Sequence, residues 1–207
     1  MQSNGPGNRA VFYGPVTAAT GGAWAGAAAT RSGYRPREAM AIVTPSHRLE
    51  SPMNAYRISG LSPEPFRPLF ALDDDRLRAH DMRRVVADSP RGYPCRVSLT
   101  DAAVGETLLL LPYEHHALGP YRASGPIFVR EAALQAPTYR NELPPILATR
   151  YLSLRAYDRD GWMRDARAVE GAAAQDELQS LFAIDGVVSV MAHNARFGCF
   201  LCRIDRH

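Results

Sequence analysis

The stretch RYLSLRAYD, residues 150–158, alternates apolar and polar side chains along its length. On an extended backbone this period of two sends Leu152, Leu154 and Ala156 to one face. Tyr151, Ser153, Arg155 and Tyr157 go to the other. The pattern predicts a strand with one core face and one polar, aromatic face. Similar runs lie to either side, punctuated by Gly and Pro: AYRISGL (55–61), MRRVVAD (82–88), CRVSL (95–99), ETLLLLPYEH (106–115), GPIFVRE (125–131), WMRDARAVE (162–170), VVSVMAHN (187–194) and CFLCRID (199–205). So many short strands require a sheet-dominated fold. Two segments read as helices. Residues 73–80 place acidic side chains at the favourable N-terminal end, and residues 175–183 put Leu178, Leu181 and Phe182 on one face. No βαβ rhythm appears, so the expected class is α+β, mainly antiparallel sheet with two or three short helices.

The chain has 207 residues, 46% hydrophobic and 22% charged, enough for one domain with a substantial core. Residues 53–207 are expected to form it. Residues 1–52, rich in Ala, Gly, Thr, Ser and Pro, read as a disordered leader or as sequence upstream of a start at Met53. The run Leu108–Leu111 is far too short to span a bilayer, so no membrane span is expected.

All 24 basic residues are arginine. With the abundant Ala, Gly and Pro, this reads first as the codon bias of a GC-rich bacterial genome. It also excludes lysine chemistry: no Schiff base and no lysine-dependent phosphate loop. The net charge of +3 is spread along the chain without an arginine stripe, so nucleic acid is not an expected partner. Three cysteines without a secretory signal suit reduced thiols in a cytoplasm. The sequence does not address oligomeric state.

YRISGL (56–61) followed by PFRPLF (65–70), GYPCRVSL (92–99), YEH (113–115), PYRASGPIFVRE (120–131), LSLRAYD (152–158) and HNARFGC (193–199) together resemble the bacterial family called domain of unknown function 1203. The resemblance runs over about residues 55–206. It implies a small bacterial domain and carries no known activity, cofactor or catalytic residue. Two departures stand out: the first fifty residues are foreign to the pattern, and Cys202 lies where a small apolar residue is expected.

Cys199 and Cys202 have C-x-x-C spacing, but on a strand residues three apart point to opposite faces. Neither a redox pair nor a zinc knuckle is therefore expected, and no metal or other cofactor is. In YEHH (113–116), Glu114 and His116 should share one face and Tyr113 and His115 the other, too few donors for a metal.

Two constellations remain. A small anionic molecule is the first-ranked partner, held on an arginine and tyrosine face by Arg96, Arg122, Ser124, Arg130, Arg155 and Tyr157. The alternative is an enzyme with Cys95 as nucleophile, His193 as general base, Glu114 or Asn194 orienting the base, and Arg96 favouring the thiolate. Each has an ordinary structural counterpart: arginines paired with nearby acids, buried cysteines, and His193 and Asn194 serving a hairpin turn. A protein interaction module is the third class. No G-x-S-x-G, G-x-G-x-x-G or H-E-x-x-H motif is present.

Overall fold

The structure, a computed structural model, describes residues 55–207. RYLSLRAYD supplies β6, Tyr151–Tyr157, which pairs antiparallel with β7, Met163–Glu170, on one side and β8, Ser189–Asn194, on the other. β8 pairs in turn with β9, Phe200–Arg206, which pairs with β1, Tyr56–Ser59, and β1 with the short β5, Thr138–Arg140. These six strands form one sheet, ordered β5-β1-β9-β8-β6-β7. A second sheet contains β2, Arg83–Val86, β3, Thr107–His116, and β4, Ala123–Arg130, with β3 in the middle. Every ladder is antiparallel, as expected for the α+β class.

The parity of β6 organises two cores. Leu152, Leu154 and Ala156 are fully buried against Leu178, Leu181 and Phe182 of α3, Ala174–Phe182, and Ile146 and Leu147 of the one-turn α2, Pro145–Ala148. Burying each such side chain is worth about 1.5–3 kcal/mol. The opposite face carries Tyr157 of β6, Met191 of β8 and Phe200 of β9 into a second core. Its other members include Leu109 and Leu111 of β3, Ile127 and Val129 of β4, and Leu77 of α1, Asp74–Ala79. At the start of α1, Asp73 caps the helix by accepting from the Arg76 amide at 2.8 Å.

CRVSL is not a strand. Pro94 and Cys95 make only isolated bridges, to Asp101 and Phe128, and the backbone then folds back on itself: the Leu99 amide donates to the Cys95 carbonyl. Leu99 has φ of 55°, a left-handed conformation that ends any extended run. The turn fits closely beneath Gly60, where a Cβ would stand 1.9 Å from the Val97 carbonyl oxygen. β5 and α2 have no counterpart among the sequence expectations, being three and four residues long and so too short to display a period. The expected leader, residues 1–52, lies outside the described residues.

Candidate functional site

The turn that replaces the expected CRVSL strand holds Arg96. Its amide donates to the Phe128 carbonyl of β4, and its own carbonyl accepts from Leu61. The side chain is only 2% exposed. Nε donates to the Phe200 carbonyl at 2.8 Å and Nη1 to the Pro94 carbonyl. Nη2 makes no hydrogen bond to a described residue, and the side chain lines a surface cleft. Arg96 pairs with no carboxylate among the described residues. Burial pulls its guanidinium down to about 10, with the Cys199, Cys95 and Cys202 thiols opposing and Arg150 reinforcing the fall. It stays charged at neutral pH.

That surface is a cleft of about 650 Å³. Its floor includes the outward face of the second sheet, Leu110, Pro126 and Phe128, opposite in parity to the residues of the second core. The walls come from the segment around Arg91 and Arg96, the corner carrying Arg150 and Tyr151, and the β8–β9 turn with Arg196, Phe197 and Cys199. Arg150 is committed: it holds Asp101 through contacts of 2.6 and 2.7 Å and the Ile146 carbonyl at 2.8 Å. Arg91 and Arg196 are exposed at the rim, and neither forms an ion pair with a described residue. Four arginines thus face two carboxylates, Asp101 and Glu170.

The three thiols differ sharply. Cys95 is fully buried, its Sγ accepting from the Arg130 and Ser98 amides at 3.3 and 3.4 Å. Cys202 sits in the helix-side core, where burial pushes its thiol up to about 12. Cys199 precedes β9, is partly exposed and lines the cleft. The two sulfurs of the C-x-x-C pair do diverge, although the cause differs from simple alternation. Cys199 belongs to the turn, and a bulge opposite Ala192 and His193 turns Phe200 and Cys202 to opposite cores.

The Cys95–His193 dyad is not assembled. Cys95 touches the Arg130 amide, which stands opposite Leu108 of β3, while His193 meets His115, seven positions beyond Leu108 on the same strand. The Cys95 sulfur is taken by backbone amides and His193 by a second imidazole, and neither side chain contacts the other. Glu114 orients no base and instead pairs with Arg122. Asn194 serves the hairpin, its Oδ1 accepting from the Arg196 amide at 3.0 Å.

Nor do the six expected anion ligands converge. Arg122 and Arg130 flank the two ends of β4, roughly 25 Å apart along the strand. Arg122 holds Glu114, and Arg130 holds Glu106 with help from Ser98 and Thr100. Ser124 is exposed on β4, and Tyr157 is buried against His116 at 4.3 Å between ring centres. Only Arg96 reaches the cleft. Arg91, Arg150 and Arg196 carry no signal in the sequence, because each stands at a turn or strand end where periodicity says nothing.

Arg155 belongs to a separate cluster in the seam between the sheets. Its Nε lies 3.4 Å from Ser153 Oγ, and Ser153 is the register partner of His193. The Nε2 atoms of His193 and His115 approach to 3.3 Å, and the His115 ring stacks on Phe200. A bulge between Glu114 and His116 breaks the expected alternation, so His115 and His116 both contact residues of the facing sheet. Each Nδ1 of the His115–His193 pair is buried without a hydrogen bond of normal geometry. Burial first, then Arg155 and the neighbouring ring, lowers His193 to about 3. His115 is lowered chiefly by burial. Among the described residues no group of three or more His, Cys, Asp or Glu side chains is placed to hold a metal. No described helix is long and apolar enough to cross a membrane.

A protein-family model described as protein of unknown function, DUF1203, matches residues 92–206, the span holding all the cleft-lining residues except Arg91. Comparison with curated proteins and with solved structures gave no match.

Proposed function

Because the chain belongs to the DUF1203 family, whose function is unknown, we propose a role from the cleft itself: it binds a small molecule bearing a carboxylate or phosphate group. Arg96 carries this reading: a buried guanidinium that lines the cleft and pairs with no carboxylate among the described residues. Removing such a charge from water is costly unless an anion or several dipoles compensate it, and two carbonyls compensate only in part. A planar guanidinium with donors to spare suits a carboxylate or phosphate oxygen. The apolar floor of Leu110, Pro126 and Phe128 would take the body of the ligand, and about 650 Å³ lies within the range of small-molecule sites. Cytoplasmic residence belongs to the same proposal, supported by three free thiols.

Thermal unfolding against a panel of carboxylates and phosphate esters tests it. A ligand at one hundred times its Kd stabilises by about 2.7 kcal/mol, a rise on the order of 5 °C for a domain of this size. The rise should shrink in the Arg91→Ala/Arg196→Ala double variant, whose changes are confined to the rim, and vanish in Arg96→Met. A panel without any shift, or a shift unaltered by either variant, overturns the reading.

A further inference from the structure

We propose that His115 and His193 form a binding site for a borderline divalent transition-metal ion, zinc in the first place, held in the seam between the two sheets. The site is separate from the cleft and independent of its anion-binding reading. β3 supplies one imidazole and β8 the other, 78 positions apart in sequence. Their Nε2 atoms are 3.3 Å apart, yet the ring centres are 5.1 Å apart, with the planes at 68°. A straight N–H···N hydrogen bond of that length would separate the centres by about 5.6 Å. The rings are therefore tilted away from a head-on bond. Two imidazoles on one tetrahedral ion, about 2.0–2.1 Å from each nitrogen, stand about 3.3 Å apart at nitrogen and about 5.1 Å at ring centre. Both observed separations meet that geometry. Phe200 holds the pair in place: its ring stacks on His115 at 4.9 Å and meets His193 edge-on at 5.9 Å.

The far nitrogens lead to the same assignment. A neutral imidazole has one N–H and one lone pair. With both protons on Nδ1, two Nε2 lone pairs oppose each other at 3.3 Å. With one proton on Nε2, the buried Nδ1 of that ring is a lone pair without a donor. An ion between the Nε2 atoms removes the conflict and leaves each Nδ1 to donate to the main chain, as metal-bound imidazoles do, with the Tyr113 and Met191 carbonyls as acceptors. His116 takes no part, its Nε2 lying 3.2 Å from the Gly161 carbonyl, and no third His, Cys, Asp or Glu joins the pair among the described residues. The remaining positions on the ion fall to water or an exogenous ligand, which makes the site open and exchangeable. His115, Ser153 and Arg155 each keep part of their surface in solvent, giving the ion a way in. Arg155 opposes a cation here: its Nε lies 3.4 Å from Ser153 Oγ, and Ser153 is the register partner of His193. Its charge lowers the affinity, and removing it should raise it.

The full chain, freed of metal by dialysis against a chelator, is titrated with Zn²⁺ by calorimetry and with Co²⁺ by visible absorption. The expected result is a single ion per chain, with tetrahedral cobalt bands and no sulfur-to-cobalt charge-transfer band, since neither ligand is a thiolate. Affinity should fall more than about tenfold in His193→Gln and in His115→Ala, whose side chain is half-buried and whose loss the fold should tolerate. It should rise severalfold in Arg155→Met and stay unchanged in His80→Ala/His207→Ala, which removes two exposed imidazoles elsewhere on the surface. Absence of saturable binding by wild type, equal affinity in His115→Ala, or a thiolate band overturns the assignment. Loss of binding in His80→Ala/His207→Ala, or an affinity indifferent to Arg155→Met, places the ion outside the seam and overturns it as well.

Discussion

Acidification from pH 7.5 to 5.0 should weaken this fold chiefly through His193, with its neighbour His115, also lowered by burial, acting in the same direction. The His193 ring is 1% exposed in the seam between the sheets, beside His115 and within the field of Arg155. No carboxylate among the described residues holds it, so its proton is lost on folding: the value falls from 6.5 to about 3. A base whose folded value is depressed binds fewer protons in the native state than in the unfolded chain. Stability therefore falls as pH drops through 6.5, and the loss continues until about pH 3. At pH 5 the unfolded ring is almost fully protonated and the folded ring almost fully neutral. The ratio of the two binding terms is about thirty, or about 2 kcal/mol. Urea unfolding of wild type and His193→Gln at the two pH values isolates this share, because glutamine does not titrate. Wild type should lose about 2 kcal/mol more than the variant. Equal losses, or an imidazole proton resonance from His193 titrating near 6.5, would refute the assignment of a neutral buried ring.

Asp101→Asn removes the carboxylate from a pair whose side chains are only 12% and 20% exposed, leaving Arg150 uncompensated; urea unfolding should register a loss of about 3 kcal/mol. Arg122→Ala breaks an exposed pair with Glu114, so stability should change by less than about 0.5 kcal/mol and anion-dependent thermal shifts should be unaltered. Gly60→Ala drives a Cβ into the Val97 carbonyl beneath the strand end, displacing the turn that carries Arg96. Urea unfolding should show a loss of about 2 kcal/mol or more, with weakened anion binding in the fraction that stays folded.

The architecture was legible wherever side chains repeat. β6 alternates over seven residues, and both faces of the strand meet the partners that alternation requires: Leu152 and Leu154 face α3, and Tyr157 faces the second sheet. α3 was readable because Leu178, Leu181 and Phe182 define a stripe. The candidate site was much less legible because it lies where repetition stops. Arg96 was named for its neighbours in sequence, but its importance comes from a turn that brings the Phe200 carbonyl, more than a hundred residues away, to its Nε. Arg150 stands just before β6 and Arg196 just after β8, and neither position has a face until the strands are assembled. The paired histidines show the same limit: one extra residue in β3 redirects His116, which period-two reasoning assigned to the face of Glu114.

The contrast between Arg96 and two half-buried arginines, Arg130 and Arg150, bears on why the cleft exists. Arg130 and Arg150 each meet a carboxylate, so their burial is compensated within the fold. Arg96 is deeper than either and meets none among the described residues. Its hydrogen bonds to Phe200 and Pro94 tie the β9 strand to the 94–101 turn, a structural service two neutral donors could perform without desolvating a charge. Buried ion pairs are often no more stable than apolar replacements, and an unpaired buried charge is worse still. Stability alone would thus favour a neutral side chain at this position. A fixed positive charge gains value when an anion arrives: the same low dielectric that makes the guanidinium costly strengthens its attraction for an incoming carboxylate. The apolar floor beside it lowers the local dielectric further, so Leu110, Pro126 and Phe128 contribute to anion affinity as well as to the shape of the cleft.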